Sequence, residues 1–305
     1  MENSDFKKLI DLPIFEVISY ADKVRRAHFS GDLELCSIVN AKSGCCSEDC
    51  KFCAQSSHNF SEIEVYPLKT REELVDAAYI AKNNGAQRFG IVSSGNTLTA
   101  GEIETIKKSV NQITKDIGIE VCGSLGALSR VVLSELKSAG MTRYHHNIET
   151  SERFYPSIVS THKFSQRVQT IKDAKLSGLE VCSGGIIGMG ESFEDRIDMA
   201  LLLKELNVDS VPINILVPIK GTGFEAIDPI SCNDVIRTIA IFRIILEDKT
   251  IKIAAGRETM LNDFQALGFM AGANGMLIGG YLTVKGRSLD SDYRLVKEIK
   301  KLCQS

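Results

Sequence analysis

The sequence contains no apolar run approaching the roughly 20 residues a membrane-spanning helix needs, so no membrane partner is expected. It has no basic surplus either. Its 36 Lys and Arg stand against 39 Asp and Glu, and a net charge of −3 argues against nucleic acid as a partner. The opening MENSDFKKLIDLP lacks the continuous apolar stretch and small-residue cleavage site of a secretory signal, so a reducing, cytoplasmic setting is expected. Prolines number only six, none at an obvious seam, and no low-complexity segment or charge block divides the chain. A single domain over 1–305 is therefore expected. The five histidines form no H-x-x-H or H-E-x-x-H pair, and no Ser/His/Asp arrangement is identifiable. What the sequence does hold is an uneven use of cysteine. Four of its nine cysteines fall within Cys45–Cys53, and in a reducing setting such clusters bind metal or do redox chemistry more often than they form disulfides.

Short apolar, β-branched runs alternate with longer segments of helical period. Strands are predicted over 33–40, 87–93, 118–124, 142–148, 179–187, 210–216, 251–255 and 275–279. Helices are predicted near 70–84, 101–116, 129–139, 164–176, 193–206, 231–247 and 258–270, with a leading helix over 13–28 and a final one over 289–302. Strand–helix alternation implies parallel pairing with right-handed crossovers. Eight such units match an α/β fold of the closed (β/α)8 TIM-type barrel over 33–282. A doubly wound open sheet is the competitor, but no G-x-G-x-x-G follows the first strand. Barrels carry their reactive groups at the carboxyl ends of strands. The long loop after strand one, SGCCSEDCKFCAQS at 43–56, lies there.

Within that loop Cys46, Cys50 and Cys53 form C-x3-C-x2-C, with Phe52 before the last cysteine. Three thiolates on a short loop suit one soft metal centre. Two readings stay open from spacing. Structural zinc would take a fourth ligand from Cys45 or His58. A [4Fe–4S] cluster on three cysteines would leave one iron free to bind a small molecule.

C-x3-C-x2-C with an aromatic before its last cysteine resembles the radical S-adenosylmethionine (SAM) enzymes, and the longer string CSEDCKFCAQSS resembles the biotin synthase family. HNIETS at 146–151, VCSGGIIGMGE at 181–191, VPINILV at 211–217, AAGRE at 254–258 and FMAGAN at 269–274 extend the likeness over about 13 to 282. The resemblance implies sulfur insertion into dethiobiotin to form biotin. It implies a [4Fe–4S] cluster on Cys46, Cys50 and Cys53 that chelates SAM, a flavodoxin or ferredoxin as reductant, and a homodimer. Arg167 matches the arginine for the SAM carboxylate, suited to bidentate pairing. Asn147 and Glu149 match contacts to the SAM ribose and the dethiobiotin ring, and Asn214 matches a further SAM or substrate contact. The glycine run from Gly184 allows close approach of adenine. His145 replaces an asparagine common in the family, and is expected either beside the substrate ureido group or in packing.

The resemblance also implies a second, auxiliary iron–sulfur cluster deeper in the barrel as sulfur donor. The usual [2Fe–2S] form takes cysteines from strands two, three and five and an arginine. Cys122 and Cys182 match strands three and five, and Arg257 is taken as the arginine, but strand two offers Gly90. Cys36 on strand one, about 4.8 Å from its neighbour, is expected to replace the missing thiol, sharing a face with Ile38 and Asn40. Read alone, Cys36 is better taken as a small buried hydrophobe; it is the vacancy at Gly90 that favours the ligand role. Moving a ligand across strands leaves open a [2Fe–2S] centre or an altered four-iron type, with Arg257 as ligand or hydrogen-bond donor. Cys45, Cys232 and Cys303 are assigned no ligand role. Two other functions compete. One is a related radical SAM barrel of hydrogenase-maturation or methylornithine-synthase type. The other is a zinc-stabilised binding protein without catalysis.

Overall fold

The computed structural model describes residues 3–282 and 286–304. Among them nine parallel strands form one sheet: β1 Glu34–Lys42, β2 Arg88–Ser93, β3 Glu120–Ser124, β4 Met141–His145, β5 Glu180–Cys182, β6 Gly185–Ile187, β7 Ser210–Ile215, β8 Thr250–Ile253 and β9 Gly275–Leu277. Each of β1 to β4 pairs with the next strand, β4 with β5, and both β5 and β6 with β7. β8 and β9 continue the ring, and β9 returns to β1. β5 and β6 are thus two halves of one stave, and the sheet is the expected eight-stave barrel.

The fifth strand is not continuous over 179–187 as expected. It breaks at Ser183–Gly184, where backbone groups turn to other partners. The Gly184 N–H donates to Asn147 Oδ1 at 3.2 Å, and its carbonyl accepts from the Ile148 and Glu149 N–H groups. A Cβ on Gly184 would stand 2.0 Å from the Pro212 carbonyl oxygen, so only glycine permits this approach. The fourth strand likewise ends at His145, not 148, because the chain bends to reach Gly184 and places Glu149 at φ +70°.

Helices begin where side chains cap them. Thr70, Thr99, Ser129, Ser192 and Ser231 each accept a hydrogen bond from a first-turn N–H. Two helices depart from expectation. The one predicted over 101–116 runs from Ala100 to Gln112 and then loosens into a π turn, Ile113–Ile117, which Gly118 stops at φ +67°. The one predicted over 258–270 is broken into Arg257–Leu261, Asn262–Phe264 and Gln265–Met270 by Asn262 at φ +45°. No helix among the described residues is long and apolar enough to cross a membrane.

Alternation along the strands divides the barrel into two chemistries. Phe89, Ile91, Val121, Val181, Val211, Ile213, Ile251, Ile253 and Met276 are fully buried and form part of the apolar core outside the ring. The alternate positions include the charged residues Glu34, Arg88, Arg143, Glu180 and Lys252. Their contacts cross from one stave to another that is not its neighbour, which only the lumen allows. Arg143 of β4 reaches Glu34 of β1 at 2.8 Å, and Lys252 of β8 reaches it at 2.5 Å. Arg88 completes the set at 2.9 Å from Glu34, and Arg88 and Arg143 share Glu180. This ion network forms the floor of the barrel, at the amino ends of the strands.

Candidate active site

At the opposite end the cysteine loop follows β1. It enters through Gly44 at φ +78° and Cys45 at φ +51° and is held mostly by its own backbone. The Cys46 N–H donates to the Gln55 carbonyl at 3.1 Å, and the Ser57 N–H to the Cys46 carbonyl at 2.8 Å. Asn59 Nδ2 donates to the carbonyls of Cys50 and Cys53 at 3.1 and 2.8 Å. The residues between the cysteines clasp a second segment. Asp49 accepts from the Ser160 and Thr161 N–H groups at 2.9 and 3.1 Å, the Lys51 N–H donates to the Ile158 carbonyl at 2.9 Å, and Glu48 meets His162 Nδ1 at 2.6 Å.

Within the loop so held, Cys46, Cys50 and Cys53 lie close enough for their charges to bear on one another. Burial pushes the Cys50 thiol up to about 12, with Arg167 pulling down and Cys53, Glu149 and Cys46 pushing up. Burial raises Cys53 as well. Cys45 is exposed, and His58 Nε2 lies 3.0 Å from the Ser47 carbonyl, so neither completes a zinc site. Among the described residues no three His, Cys, Asp or Glu side chains close on one ion-sized point. Three soft donors spread around a loop suit a multi-iron cluster better than a lone ion. Phe52 packs partly buried beside them.

A polar rim faces the loop. Arg167 Nε donates to Tyr155 Oη at 2.6 Å and Nη1 to the Asn147 carbonyl at 3.0 Å, and Nη1 lies 3.6 Å from Glu149 Oε1. Burial raises the Glu149 carboxyl, and the Arg167 guanidinium partly offsets this. Asn147 Nδ2 donates to Glu149 Oε2 at 3.4 Å. Asn214 bridges two staves, donating to the Gly185 carbonyl and accepting from the Ala255 N–H, both at 3.2 Å. Arg167, Glu149, Asn147, Gly184 and Asn214 therefore form one connected rim, with Cys50 close enough to feel Arg167 and Glu149.

Below the rim, Cys36, Cys122 and Cys182 are all buried, free thiols. Burial pushes the Cys122 thiol up to about 12, with the charge of Cys36 adding to it. Burial also raises Cys36, which Cys182 raises further. Gly90 pairs with Ile38 on one side and Cys122 on the other. A Cβ there would stand 3.0 Å from Ile38 Cγ2, so the strand that carries Cys36 also fills the space beside Gly90. His145 pairs in register with Cys182. Its Nε2 is buried without a partner, and burial, with Lys252 and Arg143 nearby, keeps the ring neutral.

Arg257 does not join this group. Its guanidinium is engaged by Gln265 and Asp292, at 2.5 and 2.7 Å, and by the Leu277 carbonyl at 3.2 Å. It ties the last helix, Leu289–Gln304, to the barrel. The cation that does reach the lumenal thiols is Lys252, with Nζ 3.1 Å from Cys36 Sγ. Sequence reasoning passed over Lys252, Arg143, Arg88 and Glu34, although Lys252 and Glu34 each stand between apolar residues in a predicted strand, a mark of an inward polar position. It also passed over Asn59, Asp49 and Tyr155, whose roles depend on contacts distant in sequence.

The Radical SAM superfamily model matches residues 42–215, and the Biotin and Thiamin Synthesis associated domain model matches residues 212–300. A parallel barrel with a three-cysteine loop at its carboxyl mouth defines the class: a radical SAM enzyme. Solved structures share this architecture. Methylornithine synthase superposes with a TM-score of 0.84 at 20% identity, covering 98% of this chain and 92% of that one. A maturase of the [FeFe]-hydrogenase follows at 0.83 and 16%, covering 98% and 71%. At such identities these likenesses carry the fold alone. Sequence relatives are far nearer. Biotin synthase of Thermotoga neapolitana is 55% identical over 88% of this chain and 97% of its own length. Those of Thermotoga petrophila and Clostridium acetobutylicum are 50% and 44% identical, over 97% and 94% of this chain and 98% and 88% of their own lengths. The chain belongs to the biotin synthase family.

Proposed function

We propose that the chain inserts sulfur between two saturated carbons of dethiobiotin to form biotin, using two iron–sulfur centres at different depths of one barrel. Cys46, Cys50 and Cys53 hold the [4Fe–4S] cluster at the mouth. With SAM bound to its open iron, that cluster supplies a carbon radical able to take hydrogen from unactivated carbon. Arg167 binds the SAM carboxylate with a guanidinium already fixed by Tyr155 and Asn147. Glu149 and Asn147 hold the ribose, and Gly184 lets adenine approach the backbone. Phe52 shields the cluster side. Asn147, Asn214 and the neutral ring of His145 orient the ureido group of dethiobiotin, the unpartnered His145 Nε2 being a ready hydrogen-bond site.

Cys36, Cys122 and Cys182 hold the auxiliary centre that gives up sulfur. The observation that carries the reading is this triad of buried thiols in the lumen, under a mouth that already has three thiols of its own. With Gly90 where the usual form has its strand-two cysteine and Cys36 on the neighbouring strand as the third thiol, the ligand set changes shape, and a four-iron centre bearing a transferable sulfide is the reading we adopt over the usual [2Fe–2S] form. A flavodoxin or ferredoxin supplies electrons, and the enzyme works as a cytoplasmic homodimer.

Anaerobic incubation with SAM, reductant and dethiobiotin tests the reaction, with biotin and 5′-deoxyadenosine assayed together. Both products are expected, and 5′-deoxyadenosine without biotin refutes sulfur insertion. Iron and acid-labile sulfide counts on wild type and Cys36→Ser test the ligand set. Unchanged counts and Mössbauer spectra refute the role of Cys36.

A further inference from the structure

The lumen holds a cation that the proposed reaction does not yet use. Lys252 lies between Ile251 and Ile253, both fully buried on the outer face of β8, and its own side chain is 3% exposed. An ammonium this deep costs several kcal/mol unless it is paired. Glu34 Oε1, at 2.5 Å, is one partner. The same carboxylate also serves Arg143 and Arg88, at 2.8 and 2.9 Å. Three cations therefore surround one largely buried carboxylate. Glu120 and Glu180, which contact Arg88 and Arg143, are about half exposed. The surplus positive charge faces thiols: Lys252 Nζ stands 3.1 Å from Cys36 Sγ, and Arg143 feels Cys182 and Cys122.

We propose that Lys252 is the positioning residue of the lumenal iron–sulfur centre, its ammonium, steadied by Glu34, donating to the Cys36 thiolate and to cluster sulfide beside it. The inference rests on the lumenal-cluster reading above. An ammonium has three donors and no lone pair, so it orients and neutralises the centre without ligating iron. A four-iron centre on three thiols then keeps one iron free of protein ligands, on which an exogenous sulfide can be carried.

The test uses anaerobically reconstituted holoenzyme with Lys252→Met, Lys252→Gln and Lys252→Arg. Iron and acid-labile sulfide per chain are counted, and the midpoint potential of the lumenal centre is followed by EPR during redox titration. Lys252→Met is expected either to lose the lumenal iron or to lower the potential. A tenfold drop in the reduced-to-oxidised ratio corresponds to about 59 mV for a one-electron couple. Lys252→Gln still donates to Glu34 and is read in the same way should Lys252→Met misfold. Lys252→Arg keeps the charge and should hold iron, sulfide and potential near wild type. Lys252→Met and Lys252→Gln that match wild type in all three quantities overturn the proposal. A wild type with only the about four irons of the mouth cluster overturns the lumenal-cluster reading itself, and the lysine proposal with it.

Discussion

Replacing Glu34 by glutamine would keep the shape of the barrel floor and remove its one central negative charge. In the native chain that carboxylate faces Lys252, Arg143 and Arg88 at 2.5 to 2.9 Å, and its side chain is 21% exposed. Removing one partner of a buried ionic cluster costs about 3–5 kcal/mol, because the charges left behind stay desolvated. At roughly 2.1 cal/mol/K per residue, the 305-residue chain has an unfolding entropy of about 0.64 kcal/mol/K, so Tm should fall by about 5–8 °C. The pH dependence follows from the same contacts. Burial alone would raise the Glu34 carboxyl, but Lys252 and Arg143 more than reverse this and hold it below the ordinary carboxylate range. A lowered value means the stabilisation is complete above the unfolded pKa of about 4.3 and is lost as pH falls through the folded one. The Tm gap between wild type and Glu34→Gln should therefore be full at pH 7 and shrink below about pH 4. Anaerobic thermal melts followed by circular dichroism across that range check both parts. A gap under about 1 °C at pH 7, or one that stays constant into acid, refutes the reasoning.

Arg167→Lys should weaken SAM binding about tenfold, near 1.4 kcal/mol, because a lysine cannot keep the two-pronged geometry that Tyr155 and Asn147 fix; equilibrium dialysis with unchanged affinity would count against the assignment. Gly184→Ala places a methyl group 2.0 Å from the Pro212 carbonyl oxygen, and the forced backbone shift should cost about 1–3 kcal/mol or more and loosen SAM; a variant with wild-type Tm and affinity would show the approach is not tight. Arg257→Ala strands Asp292, itself 1% exposed, and should cost about 3–5 kcal/mol while leaving iron and sulfide counts untouched. Lost iron at unchanged stability would instead return Arg257 to the cluster.

The barrel was legible because short apolar, β-branched runs alternate along the chain with segments of helical period, as parallel staves joined by helices must. The mouth was legible because a short motif carries its own geometry: Cys46, Cys50 and Cys53 need only one loop to come together. The lumen was half legible. Cys36, Cys122 and Cys182 stand out as thiols, but a lysine in IKIAA reads as one polar residue in an apolar run until Glu34, more than two hundred residues away, supplies its partner. Arg257 shows the converse. The family resemblance put it in the lumen, whereas Asp292 and Gln265, on helices that pack outside the ring, draw its guanidinium the other way. The break at Ser183–Gly184 was hidden for a similar reason. The strand ends because Asn147 takes a backbone hydrogen bond, and no local propensity records that.

The short turn Tyr155–Ser157 and the residues after it serve as a common mount. Tyr155 grips Arg167, while Ile158, Ser160 and Thr161 grip the cysteine loop through Lys51 and Asp49. Two instruments bolted to one bench keep their alignment when the bench itself shifts. Breathing of the mouth would carry thiols and guanidinium together, so their spacing need not be re-found at each turnover.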